Sequence, residues 1–284
     1  MELPKIVESL SKVPGVGAIA LGGSRSRNEA DAHSDFDLGL YYNPDRLDLV
    51  ALEETLTALD DGRRERLLNP PGAWGPWING GAWLNVAGVP VDILLRDIAT
   101  VARVVQDCMA GKISIAYQCG HPFAFVNTIY AAEIHYCQPL WQDAAAPLDN
   151  LKALLHSEGE YPPQMRQAVV AKFLWEAEFS LACGRKAAYQ GDLNYAMGSM
   201  FRAVCAWLEV LYALNDLYLM NEKGALPRIS RFIRQPADLE ARVNAAYQRF
   251  AAGRPEEAYR MLDDLHGEVA ALGQGIAPAL PKIR

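Results

Sequence analysis

Apolar residues follow two rhythms along this chain, and the change between them divides it. In the first hundred residues they come in short runs broken by turn residues. Val16-Gly17-Ala18-Ile19-Ala20-Leu21 is one such run, ending at Gly22-Gly23, and it predicts a strand. Residues 35–42 alternate: Phe36, Leu38 and Leu40 fall on one face, and Asp35, Asp37, Gly39 and Tyr41 on the other. Ala82–Val86 and Val89–Leu95, joined by Ala87-Gly88, predict a β-hairpin. Ile6–Ser11 and Leu47–Leu59 predict helices. Between the second helix and the hairpin, 69–81 is rich in Pro, Gly and Trp and reads as a loop. Its tryptophans either pin that loop to the domain, the commoner arrangement, or line a pocket and stack on a flat ligand.

Beyond about residue 150 the spacing becomes three and four. Met165, Val169, Phe173, Ala177 and Leu181 form one stripe. Met197, Phe201, Val204, Leu208, Leu211 and Asn215 form a second, Leu239, Val243, Ala246 and Phe250 a third, and Ala258, Leu262, Leu265, Val269 and Leu272 a fourth. Such narrow apolar faces are those of amphipathic helices in an antiparallel bundle, and their Met and aromatic positions read as core. Asp192 suits the cap of a helix over 193–220, and Pro255-Glu256-Glu257 suits the opening of the last one. Residues 101–150 carry a weaker pattern, read as helices joining the two parts. The division predicts a first domain over 1–110 and a helical bundle over 111–284.

Composition narrows the function classes. Half of the 284 residues are apolar, enough for a normal core. A net charge of −7 argues against a general nucleic-acid binder, yet suits a cationic small molecule. The five cysteines are odd in number and widely spaced, which disfavours a disulfide framework or zinc site. No signal-like start and no uninterrupted membrane-length apolar run is evident, so a cytoplasmic location without a membrane partner is expected.

The chemistry concentrates in two places. Gly22-Gly23-Ser24 closes the first strand, and Asp35-Phe36-Asp37 opens the next. Two carboxylates flanking one residue on a strand point the same way and offer hard oxygen ligands to a cation. A glycine turn presents bare backbone N–H groups to a phosphate. Arg27, and after it Arg25, lies just beyond to grip phosphate oxygens. A third carboxylate, Asp92, sits inside the apolar run Val89–Leu95, where burial is costly without a cation or another partner such as Arg96. Each feature alone is common; their conjunction points to metal-dependent phosphate transfer. In the helical half, Lys223 could reach a triphosphate or simply end a helix. Glu222 or Glu176 could act as a general base or bind an amino group of the acceptor, surface or bundle ion pairing being the commoner role for each.

Leu21-Gly22-Gly23-Ser24, Asp35-Phe36-Asp37 and Val91-Asp92-Ile93 together resemble the DNA polymerase β-like nucleotidyltransferase superfamily over roughly residues 15–97. The resemblance implies an α+β protein with a mixed, mainly antiparallel sheet backed by helices, followed here by the α-helical bundle. It implies Asp35, Asp37 and Asp92 as catalytic ligands of two Mg²⁺ ions, and its phosphate loop, similar to Ser24-Arg25-Ser26-Arg27, favours Arg27; Gly22, Gly23 and Ser24, and Lys223 if it reaches the triphosphate, are the further candidates around ATP or another nucleoside triphosphate. The layout is similar to bacterial antibiotic nucleotidyltransferases of the aminoglycoside and lincosamide type. The implied reaction moves a nucleoside monophosphate to a hydroxyl of a small-molecule acceptor. Two alternatives remain open: a toxin–antitoxin type enzyme that adenylylates a protein, and a non-catalytic nucleotide-binding regulator. The apolar helices leave room for a homodimer.

Overall fold

A computed structural model describes residues 3–27 and 34–276. The chain forms two compact units. The first comprises Met1–Gln106, Ala116–Gly120 and Tyr130–Ser157, and the second Asp107–Ile115, His121–Ile129 and Glu158–Arg284.

Along the chain the first elements are α1 (Leu3–Ser11), β1 (Val16–Leu21), α2 (Gly23–Ser26), β2 (Phe36–Tyr42) and α3 (Leu49–Leu59). The hairpin β3 (Gly81–Val86) and β4 (Val89–Asp97) follows, then α4 (Ile98–Met109). Two short strands, β5 (Ile115–Ala116) and β6 (Phe125–Val126), precede α5 (Thr128–Tyr136), β7 (Gln138–Gln142) and α6 (Pro147–Leu155). The main sheet has the order β3-β4-β2-β1-β7. β2 and β4 run parallel and the other neighbours antiparallel, so the sheet is mixed, as expected.

Alternation decides what each face does. Ile19, Leu21, Leu38, Leu40, Leu84, Val91, Ile93 and Leu95 share one face, where they pack with Ile6 and Leu10 of α1 and Leu52 and Leu56 of α3. Each such side chain contributes about 1.5–3 kcal/mol on burial. Local chemistry sets the ends. Asp48 caps α3 by accepting from the amides of Val50 and Ala51, both at 3.0 Å. Asp61 accepts from the amides of Ala87 and Gly88 at 2.9 and 2.8 Å. Both of those turn residues have positive φ, the conformation a two-residue hairpin turn needs.

Residues 101–150 depart from the helical expectation. Besides α4, α5 and α6 they contain β7, which pairs with β1 as the fifth strand. Pro139 inside it is tolerated because β7 is an edge strand, where a missing N–H faces no neighbour.

The second unit contains α7 (Pro163–Tyr189), α8 (Leu193–Leu214), the short α9 (Ala225–Arg228), a 3₁₀ turn over Ile229–Arg231, α10 (Leu239–Ala251) and α11 (Pro255–Leu272). The α7 and α10 stripes are buried throughout, and so is that of α11 as far as Val269. Gly184 of α7 allows its packing: a Cβ there would lie 2.3 Å from Tyr259 Oη and 2.6 Å from Ser199 Cβ. Asp192 caps α8, accepting from the Tyr195 amide at 3.0 Å.

The α8 stripe needs correcting at both ends. Met197 and Phe201 are 42% and 37% exposed, not core. Helix α8 also stops at Leu214, short of 220. Asn215 ends it by donating to the carbonyls of Leu211 and Arg234 and accepting from the Arg234 amide, and Asp216 then takes positive φ. By length and composition α8 could cross a membrane, but 78% of its most apolar window is buried inside the fold. All five cysteines are free thiols.

Candidate active site

The sheet face opposite the core carries two of the candidate carboxylates, Asp37 and Asp92. In the parallel register of β2 and β4, Asp37 sits directly beside Asp92, Gly39 beside Leu94, and Tyr41 beside Arg96. Registered neighbours project from the same face, so the two carboxylates converge. Asp35 lies just before β2 and is exposed. Residues 28–33, between the two halves of the motif, lie outside the described residues.

The glycine turn is fitted to Asp37. The Gly22 amide donates to the Asp37 carbonyl at 2.8 Å. Gly23 has φ +61°, and a Cβ there would stand 1.7 Å from Asp37 Oδ2. That contact forbids any side chain, so Gly23 is required twice, by conformation and by space. Gly22 is less constrained, since its Cβ would meet only ordinary contacts, the nearest at 3.6 Å. Gly23 and Ser24 open the single turn α2, whose first amides have no intrahelical acceptor. Ser24 is half-buried beside them.

The two arginines separate in role. Arg25 Nε donates to the Asp35 carbonyl at 3.1 Å, its Nη2 donates to the Ser34 carbonyl, and its guanidinium stacks 3.8 Å over Phe36. It is occupied in holding the segment that delivers Asp35. Arg27 follows α2, lies 6.0 Å over the Tyr136 ring, and acts on Asp37 electrostatically. Gln138 of β7 donates to the Ser26 carbonyl at 3.1 Å and so braces the turn from the edge strand.

Electrostatics record the crowding of negative charge. Burial, and then the charges of Asp37 and Asp35, push Asp92 up to about 6. Burial and Asp35 also raise Asp37, against the pull of Arg27 and Arg25. Arg96 is not the partner of Asp92. It is buried and grips Glu133 of α5 through two bonds of 2.6 and 2.7 Å. Asp37 and Asp92 thus stand side by side, with Asp35 near enough to act on both electrostatically, and carboxylate oxygens are the donor type that suits Mg²⁺.

The remaining candidate positions belong to the second unit. Lys223 belongs to the second unit, where its side chain is exposed and its amide donates to Asn221 Oδ1 at 2.7 Å, the geometry of a local turn. Glu222 accepts from the Phe123 amide at 2.9 Å, and Glu176 is ion-paired with Arg202. A cavity of about 610 Å³, lined by Gly15, Asn43, Arg46 and Asp143 among others, lies at the opposite end of β1 and β2 from the carboxylates and includes none of them.

Sequence reasoning missed Gln138 and Glu133 because both come from the stretch read as connecting helices. It also missed Trp83, which lies opposite Asp92 across the hairpin. Its signal was available, since strand parity alone places Trp83 on the carboxylate face.

Residues 1–113 match the family model described as a nucleotidyltransferase domain. This match, together with the carboxylates and the glycine turn, supports the expected likeness of this part of the chain to the DNA polymerase β-like nucleotidyltransferase superfamily. Among solved structures, a nucleotidyltransferase-like protein from Exiguobacterium sibiricum 255-15 is similar at a TM-score of 0.45 and 10% identity, over 95% of this chain and 74% of that one. No curated protein matches the chain.

Proposed function

We propose that the protein moves a nucleoside monophosphate from a nucleoside triphosphate, ATP being the first to test, to a hydroxyl group of a small molecule. The observation that carries this reading is the register pair Asp37 and Asp92, with the side-chain-free turn at Gly23 set against it.

The roles follow from position. Asp35, Asp37 and Asp92 would hold two Mg²⁺ ions. When bound, these supply charge neutralisation for the attacking and leaving oxygens. The amides of Gly23 and Ser24 and the Ser24 hydroxyl donate to the phosphates that leave, and Arg27 adds a bidentate cationic grip. Asp92 lies one strand farther from the turn than Asp37, and in this reading it would face the acceptor and take the proton from its hydroxyl. The net charge of −7 favours a cationic acceptor, as the antibiotic type would be.

The test is pyrophosphate release from ATP with Mg²⁺ across a panel of hydroxylated antibiotics and metabolites. At least one acceptor should give a nucleotidyl adduct by mass, and Asp37→Asn should lower the rate by about a hundredfold or more. A panel without any adduct, or an Asp37→Asn protein as active as wild type, removes the proposal.

A further inference from the structure

Trp83 has no task in the reading so far, yet it occupies a telling position. It sits on β3 directly across from Asp92 in the antiparallel register, as Asp37 sits across from Asp92 on the other side. Directly opposed residues share a face and have Cα atoms about 4.5–5.5 Å apart. One line across the sheet therefore reads Trp83, Asp92, Asp37 and, beyond the end of β1, the Gly23 turn. The phosphate-cradling end of that line lies at Gly23, so the opposite end is where an acceptor must approach.

At that end stands a flat apolar surface held in place. Trp83 is 56% exposed although its strand neighbours Ala82 and Leu84 are buried. Trp74 stacks against it, with ring centroids 4.5 Å apart and an interplanar angle of 30°. The loop bearing Trp74 is fixed rather than loosely draped. Gln118 Nε2 donates to the Trp74 carbonyl at 2.7 Å, and Gln118 Oε1 accepts from the Ile78 amide at 3.3 Å. Gly81 makes room for the stack, since a Cβ there would lie 2.9 Å from Trp74 Cζ3 and 1.9 Å from the Ile93 carbonyl. Arg64 Nη2 donates to the Trp83 carbonyl at 3.0 Å, anchoring the strand beneath the indole.

We propose that the Trp74–Trp83 pair is the acceptor platform, and that the acceptor is a hydroxylated ring molecule. An apolar ring face lies on the exposed indole while a hydroxyl at the ring edge reaches Asp92. Trp83 and Asp92 are registered neighbours on adjacent strands and project from the same face, so a ring held at the indole lies within a side chain's reach of the carboxylate. An acyclic polyol offers no face for the indole to hold. The inference rests on the nucleotidyl-transfer reading for the identity of the acceptor, but the binding surface can be tested alone.

Saturation-transfer NMR with the full-length protein would screen aminoglycosides, lincosamides and methyl glycosides, with glycerol and propanediol as the acyclic reference. Ring compounds should bind and perturb the Trp83 indole resonance. Their affinity should fall about tenfold or more in Trp83→Leu and less in Trp83→Phe, with Trp74→Leu weakening binding as well. Binding of a magnesium–ATP analogue, measured separately, should match wild type in every variant, which also reports on folding. The proposal is overturned if no ring compound binds, if the acyclic probes bind equally well, or if Trp83→Leu leaves ring binding unchanged. Trp83-dependent ring binding in a protein that ignores the nucleotide would keep the platform and discard the transfer reading.

Discussion

The two faces of the five-stranded sheet are built from the same strands, residue by residue in alternation, and they obey different rules. One face, with Ile19, Leu38, Leu40, Leu84 and Ile93, is apolar and fully covered by α1 and α3. The other carries Ala18, Ala20, Asp37, Gly39, Tyr41, Trp83, Asp92 and Arg96 on the same strands. Its small residues, charges and glycines would weaken an ordinary sheet. The core face supplies the stability that lets the other hold like charges together. Burial, and after it the charges of Asp37 and Asp35, push Asp92 up to about 6 on that face.

The sharpest way to break this comparison is to damage one face and watch the other. Leu40→Ala on the core face should cost about 2–5 kcal/mol, read as a lower denaturation midpoint. Its effect on nucleotide binding by the remaining folded protein should be small. A loss of affinity without loss of stability would contradict the division.

Gly23→Ala comes next. Its Cβ would collide with the Asp37 carboxylate and its φ is unsuited to alanine. The change should cost about 1–3 kcal/mol and remove most nucleotide affinity. Gly22→Ala should be far milder, as its Cβ meets only ordinary contacts. Equal effects at the two glycines would break the assignment of Gly23 as the residue fitted to Asp37.

The smallest effect concerns pH. In the metal-free protein Asp92 is raised to about 6, above its unfolded value of about 3.9. Its neutral form is therefore favoured by folding. The stability this contributes is complete below about pH 4 and is lost as pH rises through about 6. Asp92→Asn should flatten that part of the stability–pH curve and make the metal-free protein more stable than wild type at neutral pH. Thermal melts from pH 4 to 8 in chelator check it, and an unaltered slope would count against the shift.

How much of this the sequence disclosed depends on the element. The strands β1 and β2 and the hairpin were legible because alternation, the Gly22-Gly23 stop and the Ala87-Gly88 turn are local signals. Strand β7 was not: five residues, with a proline and two glutamines, carry no period of their own and are held as a strand only by pairing with β1. The three aspartates were readable as a group. The direct apposition of Asp37 and Asp92 was not, because it comes from parallel pairing of strands separated by α3, a long loop and β3. Met197 and Phe201 show the converse failure. Helical spacing marked them as core, but spacing identifies a face and not what covers it.

Binding of a non-hydrolysable ATP analogue, titrated by calorimetry with and without Mg²⁺, tests most directly whether the polar face is a nucleotide site. Wild type should bind only when Mg²⁺ is present, and Asp37→Asn should weaken that binding about tenfold or more while its melting temperature does not fall. Binding that is indifferent to Mg²⁺, or equal in wild type and Asp37→Asn, would contradict the assignment.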